Sequence, residues 1–157
     1  MKYQEILHQG GKTLIKNNIN NPSLDCELIL SKALNKSREE ILVNMGKKVY
    51  KKEQNNFNYY LKKRVKKKPI AYILGYKYFW KYKFYVDSSA LIPRPETEHL
   101  VEEALNQIPF KKSINLLDIG TGSGCVIISI LKERQKCKAT AIDISKDALK
   151  VAKINAK

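Results

Sequence analysis

The string DIGTGSGC, Asp118 to Cys125, sets glycines at alternate positions, Gly120, Gly122 and Gly124, directly after an apolar run. A strand feeding a glycine-rich turn and then a helix brings backbone N–H groups and a helix N-terminus up to a ligand, and glycine lets that ligand come close. The order differs from the G-x-G-x-x-G of dinucleotide binders and from the phosphate loop G-x-x-x-x-G-K-[ST]. Asp118 is the more informative departure, because a carboxylate facing a pocket suits a cationic group and repels a pyrophosphate. A second acid, Asp143, stands 19 residues after Gly124, close to the roughly 20-residue offset at which a carboxylate reaches ribose hydroxyls in nucleotide-binding α/β folds. S-adenosylmethionine meets both demands. It has no phosphates, carries an amino group and a sulfonium, and ends in a carboxylate that a helix N-terminus can receive. The plain alternative is a tight turn at the glycines and a solvated strand end at Asp143.

Other reactive side chains are sparse. Cys26, Cys125 and Cys137 show no C-x-x-C spacing, which argues against a disulfide framework and a zinc site and for small buried hydrophobes. His8 and His99 lack a cysteine or histidine partner at ligand spacing, so no metal is expected. The formal charge of +15 is concentrated early: residues 1–85 hold 19 basic and 6 acidic side chains, residues 86–157 hold 11 and 9. Two explanations stand. Clustered cations attract an anionic partner such as RNA; equally, 26 Lys against four Arg, with abundant Asn, Ile and Tyr, is what A+T-biased codon usage produces. No apolar run reaches the roughly 18 residues that cross a bilayer, and MKYQEILHQG has no signal-peptide apolar region. A cytoplasmic protein without membrane association is expected.

The chemistry needs elements to hold it. At 157 residues the chain is long enough for one ordinary domain or two small ones. The first 75 residues read as short amphipathic helices. Ser23 is placed to cap a segment carrying Leu24, Leu28, Ala33 and Leu34, and Ser37 with Glu40 makes a capping-box pattern before Ile41, Leu42 and Val43. Phe57, Tyr60, Leu61, Arg64 and Val65 follow at helical spacing, and KKRVKKKP ends that helix before Pro69. Gly10 and Gly11 sit inside the first helical pattern, at a cost of about 1 kcal/mol each relative to Ala. YKYFWKYKFYVD, from Tyr76, suits two short strands joined by a turn, an inter-domain connector over 76–92. Pro95 opens a helix with Leu100, Val101, Ala104, Leu105 and Ile108 on one face. INLLDIG (strand), SGCVIISILKERQ (helix), KATAIDI (strand) and SKDALKVAKINAK (helix capped by Ser145) then give a parallel α/β pattern over 93–157. The expected fold class is α/β: a small all-helical domain (1–75), a β-hairpin, and the start of a Rossmann-like methyltransferase domain.

DIGTGSGC, LIPRPETEHLVEEAL and PIAYILGYKYFW together resemble the bacterial protein-(glutamine-N5) methyltransferase family that modifies peptide chain release factors. The likeness runs from the helical region to the last residue. The I-P-R-P-E-T-E string is more specific than the glycine loop and separates this family from adenine-N6 DNA methyltransferases with a similar core. The resemblance implies methyl transfer from S-adenosylmethionine to the side-chain amide of the glutamine in a release factor's Gly-Gly-Gln tip. It also implies that Gly120, Thr121, Gly122, Ser123 and Gly124 line the cofactor, with Asp143 on its ribose and Asp118 toward its methionine end. Arg94, Pro95, Glu96 and Thr97 match the inter-domain string, either as pocket wall or as a structural start to a helix.

The family positions the amide with an Asn-Pro-Pro-Tyr motif after the fourth of seven strands. The present sequence contains no such motif and stops inside the helix after the second strand, so no catalytic residue is assigned. The chain is expected to be truncated, inactive alone, and left with an unpaired strand edge and uncovered apolar faces. A rival of another class is a non-catalytic basic module that grips RNA or a ribosomal partner, although no recognised RNA-binding motif is present and KKRVKKK suits a solvated helix end.

Overall fold

The computed structural model describes residues Met1–Lys157. The chain forms two compact units, Met1–Leu74 and Gly75–Lys157.

The first unit is helical: α1 (Tyr3–Lys16), α2 (Pro22–Leu34), α3 (Arg38–Val43), α4 (Lys51–Val65) and α5 (Ile70–Leu74). Its core gathers Leu14, Ile29, Leu30, Ile41 and Phe57, all fully buried. Three helices begin with a carboxylate on the backbone N–H just ahead of them: Glu5 accepts from Lys2 N (2.7 Å), Glu40 from Ser37 N (2.8 Å) and Glu53 from Tyr50 N (2.9 Å). Ser37 Oγ also accepts from Glu40 N, which completes the expected capping box. Ser23, in contrast, is not a cap. Helix α2 starts two residues earlier, with Asn21 at the N-cap and Pro22 in the first turn, where proline's fixed φ and missing N–H cost nothing.

Arg64 explains why a cation sits in the apolar stripe of α4. Its Nε lies 2.6 Å from Asp25 Oδ2 of α2, the two side chains being 18% and 5% exposed, and its Nη1 donates to Lys68 O where the helix ends. Gly10 also has a packing reason. A Cβ there would stand 2.8 Å from Phe57 Cζ and 2.9 Å from Cys26 Sγ, whereas one on Gly11 would meet nothing within 4 Å. Burial, reinforced by Asp25 and Glu27, pushes the Cys26 thiol up to about 12, so it packs as an inert small hydrophobe.

The second unit opens with an antiparallel hairpin, β1 (Tyr76–Phe79) and β2 (Tyr82–Tyr85). Phe79 and Phe84 are buried in the same core as Val101, Ile127 and Cys137, so the hairpin is an integral part of this unit. Its two-residue turn puts Trp80 at φ +54°, a conformation disfavoured for a bulky residue. Two acids hold it: Glu98 accepts from Trp80 N (2.8 Å), and Glu133 accepts from Trp80 Nε1 (3.1 Å), from Tyr82 OH (3.2 Å) and from Lys81 (2.9 Å).

Beyond a single 3-10 turn at Pro95–Thr97 come α6 (Glu98–Gln107), β3 (Asn115–Ile119), α7 (Cys125–Glu133), β4 (Lys138–Ile142) and α8 (Lys146–Asn155). Strands β3 and β4 pair in parallel, Asp118 opposite Ala141 and Ile119 opposite Ile142. Ser145 caps α8 through Ala148 N. Leu116 and Ala139 share the covered face of this pair. The other face is open, leaving Leu117 61% and Ile119 74% exposed. Leu100 departs from the expected α6 face: it is exposed while Val101 is fully buried.

Candidate functional site

Strand β3 carries Asp118 to its C-terminal end, on the covered face with Leu116, and the chain then turns through Gly120–Gly124 into α7. Gly120, Gly122 and Gly124 have φ of +77°, +56° and +79°, values a side chain would strain. Their surroundings divide them. A Cβ on Gly120 would meet nothing within 4 Å, and one on Gly122 only Gly120 O at 4.0 Å; on Gly124 it would strike Ile128 Cδ1 at 2.8 Å and Ala152 Cβ at 3.3 Å. The first two glycines border open space, and the third is pressed against helices α7 and α8.

The loop's own amides are largely engaged within the unit. Gly120 N and Thr121 N both donate to Ile142 O (2.9 and 3.0 Å), and Gly124 N donates to Thr121 O (2.8 Å). Gly122 N donates to Asp143 Oδ2 (2.8 Å). The expectation that the glycine amides themselves form a cradle therefore needs correction: those of Gly120 and Gly122 tie the loop to the end of β4, and that of Gly124 closes the loop on Thr121. The amides with no carbonyl one turn back are those of the first turn of α7, Cys125 to Ile127.

Asp143 is engaged by backbone donors. Oδ1 accepts from Ser145 N (2.9 Å) while Oδ2 holds Gly122 N, so one carboxylate fixes both the glycine loop and the entry to α8. These bonds, to Ser145 first and then Gly122, hold its pKa below the ordinary carboxylate value. An ionised carboxylate has about four lone-pair sites, and two donors leave capacity for hydroxyl groups.

Asp118 is different. Its Oδ2 is buried and has no hydrogen-bond partner, as is Thr121 Oγ1 three residues on. A buried acceptor without a donor is costly, and a ligand bearing N–H or O–H groups would satisfy it. Ser123 is buried and its carbonyl accepts from Asn155 Nδ2 (2.9 Å). The arrangement thus brings Asp118, Gly120, Thr121, Gly122, Ser123, Gly124 and Asp143 together at the ends of two adjacent parallel strands. An orphaned carboxylate oxygen, open space over two glycines and a second carboxylate fit a phosphate-free, amino-bearing nucleoside such as S-adenosylmethionine.

Arg94, Pro95 and Glu96 are exposed and Thr97 is half-buried. The segment closes on itself through Thr97 N to Arg94 O (3.1 Å) and leads into α6. Sequence reasoning passed over three side chains that hold this region: Glu98, Glu133 and Asn155. Each acts on backbone atoms or on the hairpin turn, so no residue spacing signals it.

Comparison with known proteins agrees with this layout. Residues 5–75 match the family model described as PrmC N-terminal domain, and residues 110–157 match a methyltransferase domain. A release factor glutamine methyltransferase of Coxiella burnetii is 44% identical over 136 residues, covering 87% of this chain and 49% of that protein. That of Leptospira interrogans is 41% identical over 154 residues, covering 96% and 53%. A bifunctional methyltransferase of Rickettsia bellii is 37% identical, covering 98% of this chain and 32% of its own length. The chain spans about half the length of the release factor glutamine methyltransferases it matches.

Proposed function

Since this chain carries the PrmC N-terminal domain and the start of a methyltransferase domain, homologous to release factor glutamine methyltransferases over about half their length, we propose that it supplies the cofactor loop and the substrate-docking unit of an S-adenosylmethionine-dependent protein-glutamine N5-methyltransferase. The acceptor is the side-chain amide of the glutamine in the Gly-Gly-Gln tip of peptide chain release factors, in the cytoplasm. The observation that carries the cofactor reading is the buried, unpartnered Asp118 Oδ2 two residues before a loop whose first two glycines border open space.

S-adenosylmethionine, when bound, supplies an electrophilic methyl on a sulfonium. In this chain Asp118 accepts from the amino group at the methionine end, Gly120 to Gly124 let the ligand lie close to the backbone, and the α7 N-terminus receives its carboxylate. Asp143 takes the ribose hydroxyls on its remaining lone pairs. Arg94, Pro95, Glu96 and Thr97 shape the pocket wall as they lead into α6. An amide nitrogen is a poor nucleophile and reacts only when held in line with the methyl, out of water, with its hydrogens on acceptors. No Asn-Pro-Pro-Tyr stands among these 157 residues, so the polypeptide Met1–Lys157 binds and docks without transferring.

The test is direct. Met1–Lys157, and a fusion joining Lys157 to the remaining segment of the Coxiella burnetii relative, are incubated with radiolabelled S-adenosylmethionine and a release factor. Label is expected on the glutamine with the fusion alone. Stoichiometric labelling by Met1–Lys157 would refute the division of labour, and a folded fusion that labels nothing would refute the function.

A further inference from the structure

Helix α8 ends on a carboxamide whose hydrogen-bonding capacity is almost wholly used. Asn155 Oδ1 accepts from Tyr85 N (2.7 Å), and its Nδ2 donates both to Tyr85 O (3.0 Å) and to Ser123 O (2.9 Å). The first two bonds pair the side chain with the backbone at the end of β2. The third reaches the glycine loop. One turn earlier on the same helix face, Ala152 lies beneath Gly124, whose missing Cβ would stand 3.3 Å from the alanine Cβ. The loop is thus supported at two consecutive residues, Ser123 by a hydrogen bond and Gly124 by contact, from one face of α8.

We propose that Asn155 is a positioning residue for the cofactor loop, holding the Ser123 carbonyl against α8 and coupling it to the hairpin, so that the α7 amides and Asp118 keep the spacing a ligand needs. The chemistry singles out asparagine. Two donors and one acceptor are required at a single short side chain; aspartate offers no donor and sets an oxygen against two carbonyls, and alanine offers nothing. Asn155 has no part in binding the ligand directly. Its effect on cofactor affinity rests on the S-adenosylmethionine reading above, whereas its effect on the loop does not.

Two measurements separate these. Amide hydrogen exchange is followed in Met1–Lys157 as the unaltered chain, Asn155→Ala, Asn155→Asp and, as a control, Val151→Ala, which removes packing against Ala90 and Ala148 from the same helix. Both Asn155 variants are expected to speed exchange by about tenfold at the hydrogen-bonded loop amides Gly120, Thr121, Gly122 and Gly124, with the helical unit unchanged; Val151→Ala should spare the loop relative to α8. Loop exchange unaltered in both Asn155 variants, or raised equally by Val151→Ala, overturns the inference. In the fusion described above, Asn155→Ala is expected to weaken binding of S-adenosylhomocysteine by about tenfold, because a loop freed of its three bonds from Asn155 spends less time in the binding-competent arrangement. Unchanged affinity in a variant whose loop exchanges faster overturns the link to binding. If the loop responds but the unaltered fusion binds no S-adenosylhomocysteine, the cofactor reading fails while the loop support stands.

Discussion

Gly10 and Gly11 are neighbours in sequence with opposite surroundings, and they give the sharpest test at the scale of single residues. Both interrupt α1, so both lower its intrinsic helicity. Gly11→Ala should stabilise the helical unit by about 1 kcal/mol in urea unfolding, the propensity gain unopposed because the site is open. Gly10→Ala should destabilise it by about 1–3 kcal/mol, because the new methyl drives into Phe57 and Cys26; equal effects of the two substitutions would contradict this packing. The sequence made both glycines look alike, since the distinguishing contacts come from residues 16 and 47 positions away. Asp143 was legible as a candidate from its offset, but its bonds to Gly122 N and Ser145 N were not, because backbone partners leave no trace in residue types. Its folded pKa is lowered from the ordinary 3.8, so its contribution is fully present above that value and is lost as pH falls through the lower folded value. The difference in thermal stability between the parent chain and Asp143→Asn should therefore be constant near neutrality and shrink below about pH 4. A gap that widens in acid would show the bonds to be unimportant.

At the scale of elements, the ion pair between α2 and α4 is the more buried of the two in the helical unit. Arg64→Ala strands Asp25 in a nearly dry site, at an expected cost of about 3 kcal/mol, and the Arg64→Ala/Asp25→Ala double variant should cost less than the sum of the two single changes. A loss under about 1 kcal/mol would mean that water reaches the pair. Element type followed readily from periodicity and capping: the Ser37–Glu40 box, the aromatic hairpin and the parallel strand order are all in the structure. Which face of an element is covered was harder to read. Leu100 and Leu117 look like core in the sequence and are exposed, because periodicity reports apolar positions and says nothing of whether a partner covers them. With Ile119 and Ile142 the open face of the β3–β4 pair is apolar and contiguous, so Met1–Lys157 is expected to self-associate through it. Sedimentation velocity should show association that Leu117→Thr/Ile119→Thr reduces; a strictly monomeric parent chain would count against the exposed face being adhesive.

For the whole molecule, charge and chemistry lie in different units. Residues 1–74 hold 16 basic and 6 acidic side chains, and five of those acids are already engaged, Glu5, Glu40 and Glu53 at helix starts and Asp25 and Glu27 with arginines. Six acids cannot neutralise sixteen cations, although Lys32, Lys63 and Lys67 are engaged with carbonyls or tyrosine rings of the same unit. Selective capture of a release factor that survives moderate salt would support the docking role; equally tight, steeply salt-dependent binding to arbitrary RNA would favour a non-catalytic basic module. Underneath either outcome lies the glycine loop with its two aspartates. The most direct measurement is calorimetric titration of the folded fusion with S-adenosylhomocysteine, alongside the variant Asp118→Ala. Saturable heat at one site, strongly weakened by Asp118→Ala, is the expected result. A folded fusion that gives no heat, or one whose affinity is indifferent to Asp118, would contradict the assignment of this loop as the cofactor site.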